Sequence, residues 1–200
     1  MNGFLKALLA SAFFVSAASA LGASSDCSPP GPLQTASLRQ VIDGDTLELS
    51  DGRRVRLIGI NTPELAHDTR PAQPLADSAR RAADAFLRRD PSATLQLAIG
   101  TDSHDRYGRL LAHVFDRDGN SLEAQLLEQG LGFPLSIPPN LALRDCLQQR
   151  AHHARTQGLG VWSHPAFAPR QVSTLTPADG GYGRYRGRVS RVDRNRSGWY

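Results

Sequence analysis

Three short segments concentrate the residues that could do chemistry. Val41-Ile42-Asp43-Gly44-Asp45-Thr46 sets two carboxylates beside a glycine. Arg56-Leu57-Ile58-Gly59-Ile60-Asn61-Thr62-Pro63-Glu64 spaces an arginine, an amide and a glutamate, and Asp105-Arg106-Tyr107-Gly108-Arg109 carries a second arginine. Taken singly, each has an ordinary explanation: Asp-Gly-Asp is a common hairpin turn, and an arginine at a strand start usually faces solvent. Taken together, they supply what cleavage of a phosphodiester needs. That reaction adds negative charge to the phosphorus oxygens, so fixed cations must be aimed at them, and Arg56 and Arg109 are two such forks. A hard divalent ion held by oxygens would add positive charge and orient water. Asp45, Asn61 and the backbone carbonyl of Thr62 are suitable ligands, with Asp43 a further candidate. Glu64, just beyond them, is placed to serve as general base. Tyr107 is a candidate substrate contact, weighed against a simpler structural role, because its loop must pass close to substrate to deliver Arg109.

The elements that must hold these residues read as short strands followed by helices. Leu38–Ile42, Thr46–Leu49 and Arg53–Ile60 are strand-like runs separated by Asp43-Gly44-Asp45 and Ser50-Asp51-Gly52, which predicts a three-stranded meander. Leu75, Ala79, Ala82, Ala83 and Phe86 recur at helical spacing over residues 75–89. Ala93–Ile99 and Arg109–Phe115 read as two more strands, with a polar loop from Gly100 to Gly108 between them. Asn120 and Glu123 have capping-box spacing and open a short helix that ends near Gly130. Pro138-Pro139-Asn140 precedes a longer helix through Leu143, Leu147, Ala151 and Ala154, closed by Gly158. Val161-Trp162 is expected to return onto the core. Five strands interrupted by one helix predict a mainly β, α+β fold: a small barrel whose edges vanish on closure.

The flanks differ in character. Lys6 is the only charge before an apolar run, and Ala18-Ser19-Ala20 follows it, so residues 1–20 read as an export signal too short to anchor in a bilayer. Residues 21–34 read as a flexible leader, 35–164 as the folded domain and 165–182 as a linker. Residues 183–200 alternate arginines with Tyr185, Val189 and Val192, a basic strand-forming tail turning at Asn195–Gly198. A hairpin ending there would fit a fragment of a longer protein, and a solvated tail would carry the same residues. Export would place the chain in a periplasm or the medium, where Cys27 and Cys146 meet oxidising conditions; a disulfide between them and two unrelated thiols both remain open. The 200 residues carry a formal net charge of +4, and every cation but Lys6 is arginine. That favours polyanionic partners, although a GC-rich genome produces the same bias. Five of the six histidines, 67, 104, 113, 152 and 153, match no established ligand spacing.

In this order and at this spacing, the three segments resemble the staphylococcal nuclease (thermonuclease) family. The likeness covers roughly residues 35–163, including Glu128-Gln129-Gly130-Leu131, the Pro-Asn before the last helix and Gly160-Val161-Trp162-Ser163. The resemblance implies a five-stranded OB barrel with three helices and calcium-dependent hydrolysis of DNA and RNA that leaves 3′-phosphates. It implies that Asp45 ligates the metal, that Arg56 and Arg109 clamp the scissile phosphate and that Glu64 is the family's proposed base. Two departures stand out. The family's second metal carboxylate falls at Asn61, which removes one negative charge and predicts weaker calcium affinity or another divalent ion. Leu135-Ser136-Ile137-Pro138 stands where the family often has tyrosines that stack on the nucleoside.

Two other functions use the same residues differently. A non-catalytic OB module binding single-stranded nucleic acid or a protein partner would have no need of Asp45, Arg56, Glu64 and Arg109 together. A secreted protein gripping acidic polymers through its arginine tail would lose binding with residues 183–200. The expected partner is DNA or RNA, approached by a monomer without stable membrane insertion.

Overall fold

In the computed structural model, residues 27–67, 70–176 and 183–192 are described, together with the backbone of 194–195 and 198–199. The proposed export signal lies outside them. Five strands close a barrel: β1 (Gln34–Asp43), β2 (Thr46–Leu49), β3 (Arg54–Leu57), β5 (Thr94–His104) and β6 (Leu110–Phe115), in the order β1-β2-β3-β6-β5. All pairings are antiparallel except β3 with β6, which run parallel and close the ring. Alternation drives this arrangement. Leu47, Leu49, Val55, Leu57, Leu95, Leu97, Ala112 and Val114 are buried in alternation along the strands, and Ala98, His113 and Phe115 beside them are buried as well. Each fully buried leucine contributes roughly 2 kcal/mol of hydrophobic stabilisation.

Helix α1 (Ala76–Leu87) lays Ala79, Ala83 and Phe86 on the barrel. Helix α2 (Leu122–Glu128) packs Leu126 and Leu127 into the same core that Leu143, Leu147 and Ala151 of α3 (Arg144–Thr156) complete. Val161 is buried and Trp162 packs against this core, as expected from the sequence.

Four local expectations are revised. The run Arg53–Ile60 is not one strand, because β3 stops at Leu57 and the chain turns at Gly59 with φ +86°. Its continuation, β4 (Ile60–Asn61), pairs instead with β7 (Phe133–Pro134). The polar stretch Gly100–His104 belongs to β5, whose end curls back so that His104 pairs with Leu110. The cap of α2 is Ser121, whose Oγ accepts from the Ala124 N–H at 3.2 Å, while Asp116 captures Asn120. Finally, the leader is partly built in: Cys27 is buried and disulfide-bonded to Cys146 of α3, with Cα atoms 5.6 Å apart.

Beyond α3 the proposed linker forms 3-10 turns at Pro165–Phe167 and Val172–Thr174, and Phe167 packs edge-on against Phe133 at 5.6 Å. Strand β8 (Arg170–Gln171) pairs in parallel with β9 (Tyr185–Arg186), and β10 (Arg194–Asn195) pairs antiparallel with β11 (Gly198–Trp199).

Candidate active site

The carboxylate turn sits at one rim of the barrel, where β1 passes into β2. Gly44 makes that position available. A Cβ there would lie 2.7 Å from the Ala79 Cβ and 2.8 Å from the Thr62 side chain, so only glycine lets the turn nest between α1 and the strand exit. The Asp45 N–H donates to Asp43 Oδ1 at 2.9 Å, which fixes the two carboxylates side by side.

Asp45 is 4% exposed and fully engaged. Its Oδ2 accepts from the Thr62 N–H at 2.8 Å and stands 3.2 Å from Arg56 Nη2, while Oδ1 accepts from the Thr46 hydroxyl. Most donors of Arg56 are taken as well. Nη1 donates to the carbonyls of Leu57 and Ile60 at 2.6 and 2.9 Å, and Nη2 donates to Asn61 Oδ1 at 3.2 Å. The guanidinium therefore ties the turn after β3 to the carboxylate turn, and its Nε edge is what remains for a phosphate.

Arg109 is held differently. Asp105 accepts from its backbone N–H at 3.0 Å and from its Nε at 2.7 Å, and also from the Tyr107 N–H. Burial opposes the Asp105 charge, but these bonds outweigh it and hold the carboxyl below its ordinary range. With Nε held by Asp105, the terminal nitrogens of Arg109 are the donors left for a ligand. Tyr107 is 68% exposed, so it is not a core residue; the guanidiniums of Arg106, at 4.8 Å, and Arg109, at 5.6 Å, both lie against its ring.

Glu64 completes the set from the loop after β4. Its backbone is pinned on both sides by Gln73, which donates its N–H to the Glu64 carbonyl and accepts the Glu64 N–H on Oε1, each at 2.9 Å. Partial burial and then the charge of Asp45 raise the Glu64 carboxyl above its ordinary value, while Arg56, Arg109 and Arg70 pull it back. Asp43 is pushed further, to about 6, by burial and then by Asp45 and Glu64, against the hydrogen bond it accepts from Asp45. The rim thus gathers three mutually repelling carboxylates opposite the arginines.

A model described as staphylococcal nuclease homologue matches residues 54–164, more than half of the chain. The chain belongs to the staphylococcal nuclease family. It is 33% identical over 129 residues to a thermonuclease of Staphylococcus intermedius, covering 62% of this chain and 74% of that protein. A thermonuclease of Staphylococcus hyicus is 30% identical over 134 residues, 66% of this chain and 77% of that one. Endonuclease YncB of Bacillus subtilis (strain 168) is 31% identical over 140 residues, 68% of this chain and 64% of that protein. The closed five-stranded barrel with three helices is this family's OB fold, and kinship of this kind makes the chain a nuclease-type phosphodiesterase. The family match begins at β3, so the Asp43–Asp45 turn lies outside it and is joined to it through Thr62 and Arg56.

For a staphylococcal nuclease relative, the donors fit a hard cation. Asp43, Asp45, Asn61 and the Thr62 carbonyl all offer oxygen donors, and burial and mutual repulsion raise the carboxyls of Asp43 and Glu64, a repulsion that a cation would relieve. Among the described residues no three His, Cys, Asp or Glu side chains form a ready metal-holding group, so such an ion depends on the amide and carbonyl oxygens. Three participants escaped the sequence reading: Gln73 and Arg70, which touch or act on Glu64 across the loop after β4, and Asp105, which aims Arg109. The first two leave no local signal; an Asp four residues before an Arg across a Gly turn is the trace of the third.

Proposed function

We propose that the chain is an exported nuclease that uses a divalent cation, calcium being the expected ion, to hydrolyse DNA or RNA and leave 3′-phosphates. The observation that supports this most directly is the grouping of Glu64 with Asp45, Arg56 and Arg109, whose charges all act on its carboxyl while burial holds it above its ordinary value. Glu64 takes the proton of the attacking water while the bond from phosphorus to the 5′ oxygen breaks, and that oxygen takes up a proton from solvent. The terminal nitrogens of Arg109 and the Nε of Arg56 meet the phosphate oxygens, and their contacts strengthen as charge develops there. A divalent cation, when held by Asp45, Asn61, the Thr62 carbonyl and Asp43, supplies further positive charge and a fixed direction for water.

Export is supported by the charge-then-apolar leader and by the disulfide, which favours an oxidising compartment. No helix among the described residues is long and apolar enough to cross a membrane. Barrel closure, which leaves no unpaired barrel edge, supports action as a monomer.

The test incubates the purified protein with single-stranded DNA, first with calcium and then with excess chelator, beside Glu64→Gln and Arg109→Ala. Cleavage that needs calcium and is lost in both variants supports the reading. Cleavage in chelator, or by both variants at the parent rate, overturns it. DNA retained uncut in a salt-sensitive way would instead identify a binding module.

A further inference from the structure

Next to Arg109, on the side away from the carboxylates, an open cleft of about 550 Å³ is lined by Gly52, Arg53, Arg54, Tyr107, Gly108 and Arg109. It lies between the turn joining β2 to β3 and the loop that delivers Arg109. The strand register places its cations. Val55 pairs with Leu110 in the parallel β3–β6 ladder, so Arg54 and Arg109, each one residue earlier, stand side by side at the same end of adjacent strands. Alternation also puts Arg54 on the same side of β3 as Arg56, roughly 6.5–7 Å along the strand. Val55 between them is fully buried. That step is comparable with the distance between neighbouring phosphates of a single strand.

The charges in the cleft are not equally available. Both guanidinium contacts of Arg53 go to Asp51, at 2.7 and 2.8 Å. Arg54 faces Glu48 across the β2–β3 pair, but one Glu48 oxygen is taken by Arg39 at 2.8 Å and the other by Gln40. Among the described residues Arg54 makes no close ion pair, although its charge helps to hold the Glu48 carboxyl low. Opposite it stands the exposed ring of Tyr107, whose hydroxyl accepts from Arg106 Nη2 at 2.6 Å. Cationic side chains lining a groove beside an exposed aromatic residue are the arrangement that tracks a single-stranded backbone and offers a surface for a base.

We propose that this cleft is a second phosphate subsite: Arg54 grips the phosphate next to the scissile one in a single strand, and Tyr107 flanks the adjoining base. For the identity of its ligand the subsite rests on the nuclease reading, but its binding is measurable without cleavage. The probes are labelled single-stranded oligodeoxynucleotides of two to eight nucleotides, followed by fluorescence anisotropy in chelator across a salt series. Arg54→Ala should weaken binding of the longest probe roughly three- to tenfold. It should also reduce the steepness of the salt dependence by about 0.7, the value for one lost contact to single-stranded nucleic acid. The loss should grow with probe length, and Arg54→Lys should restore most of the salt slope. Arg117→Ala, which removes an exposed arginine at the opposite end of β6, controls for net charge. Equal losses in Arg54→Ala and Arg117→Ala, or a loss independent of probe length, would overturn the subsite. Calcium-dependent cleavage alongside that result would leave the nuclease reading standing. The expected length-dependent loss in a protein that cuts nothing would retain the subsite and remove the enzyme.

Discussion

Arg56 Nη2 lies 3.2 Å from Asp45 Oδ2, and both side chains are largely withdrawn from solvent. The same guanidinium caps the carbonyls of Leu57 and Ile60, so it serves the fold before it meets any substrate. Removing it leaves a buried carboxylate without its countercharge and two carbonyls without that donor. Arg56→Ala should therefore cost about 3–5 kcal/mol, as breaking a buried pair does. Urea denaturation followed by circular dichroism checks this; a loss below about 1 kcal/mol, the range of an exposed pair, would mean that Arg56 is not structural.

Arg109 should behave in the opposite way. Its pair with Asp105 is partly buried but more open than the pair of Arg56 with Asp45, so its loss should cost the fold less. Its terminal nitrogens are free to meet charge that develops only in the transition state. Arg109→Ala should lower kcat by on the order of 10²–10³-fold with a small change in KM and a smaller drop in urea midpoint than Arg56→Ala gives. Equal losses in KM and kcat would reduce Arg109 to a binding residue.

Asp43 makes stability depend on pH. Its carboxyl is raised from 3.8 to about 6 in the folded chain, so the folded state binds more protons between those values than the unfolded state does. Its contribution is most favourable below about pH 4 and is lost as pH rises through 6. Asp43→Asn keeps the acceptor for the Asp45 N–H and removes the charge. It should gain on the order of 2–3 kcal/mol above pH 6 and nothing below about pH 4. Thermal melts across that range measure the crossover. Saturating calcium should narrow the gap, because a bound cation relieves the same repulsion.

The barrel was legible because each hairpin announces itself: glycine turns at Gly44 and Gly52 separate runs whose alternate residues are apolar. What misled was continuity. Leu57-Ile58-Gly59-Ile60 reads as one apolar strand, and only the positive φ of Gly59 and the pairing of Ile60 with Pro134 divide it. Gly100–His104 reads as loop because it is polar, yet it is a strand extending past the core, where burial no longer selects apolar residues. Asn120 and Ser121 are both good cap residues, and the choice fell to Asp116, which a local pattern does not weigh. At the site, residue types named Asp45, Arg56, Glu64 and Arg109. The partners that orient them were not legible, because Gln73 reaches Glu64 and Asp45 reaches Thr62 only through the folded chain.

Asn61 stands beside the guanidinium of Arg56, with its side-chain oxygen toward the carboxylate turn's partners. Replacing the amide by a carboxylate adds a charge to the proposed ligand set without changing its size. Asn61→Asp should tighten calcium binding on the order of tenfold, since ligand charge tunes such sites. Isothermal titration of both proteins measures it. An unchanged affinity would remove Asn61 from the metal's ligands and leave it as an acceptor for Arg56.

The bridge between Cys27 and Cys146 spans 119 residues and ties the start of the folded chain to the buried face of α3. Both cysteines are buried, so the link also seals part of the core. In the chain-entropy model, closing a loop of that length restricts the unfolded ensemble enough to stabilise the fold by about 4–5 kcal/mol. Nothing in the rim geometry passes through it: Glu64 is fixed by Gln73, Asp45 by Thr62 and Arg56, and Arg109 by Asp105. Cys27→Ser/Cys146→Ser should therefore lower the urea midpoint sharply while the folded fraction keeps its parent kcat. A double variant as stable as the parent would show that the unfolded chain is already compact around this loop. A stable variant with reduced kcat would show instead that α3 positions the rim.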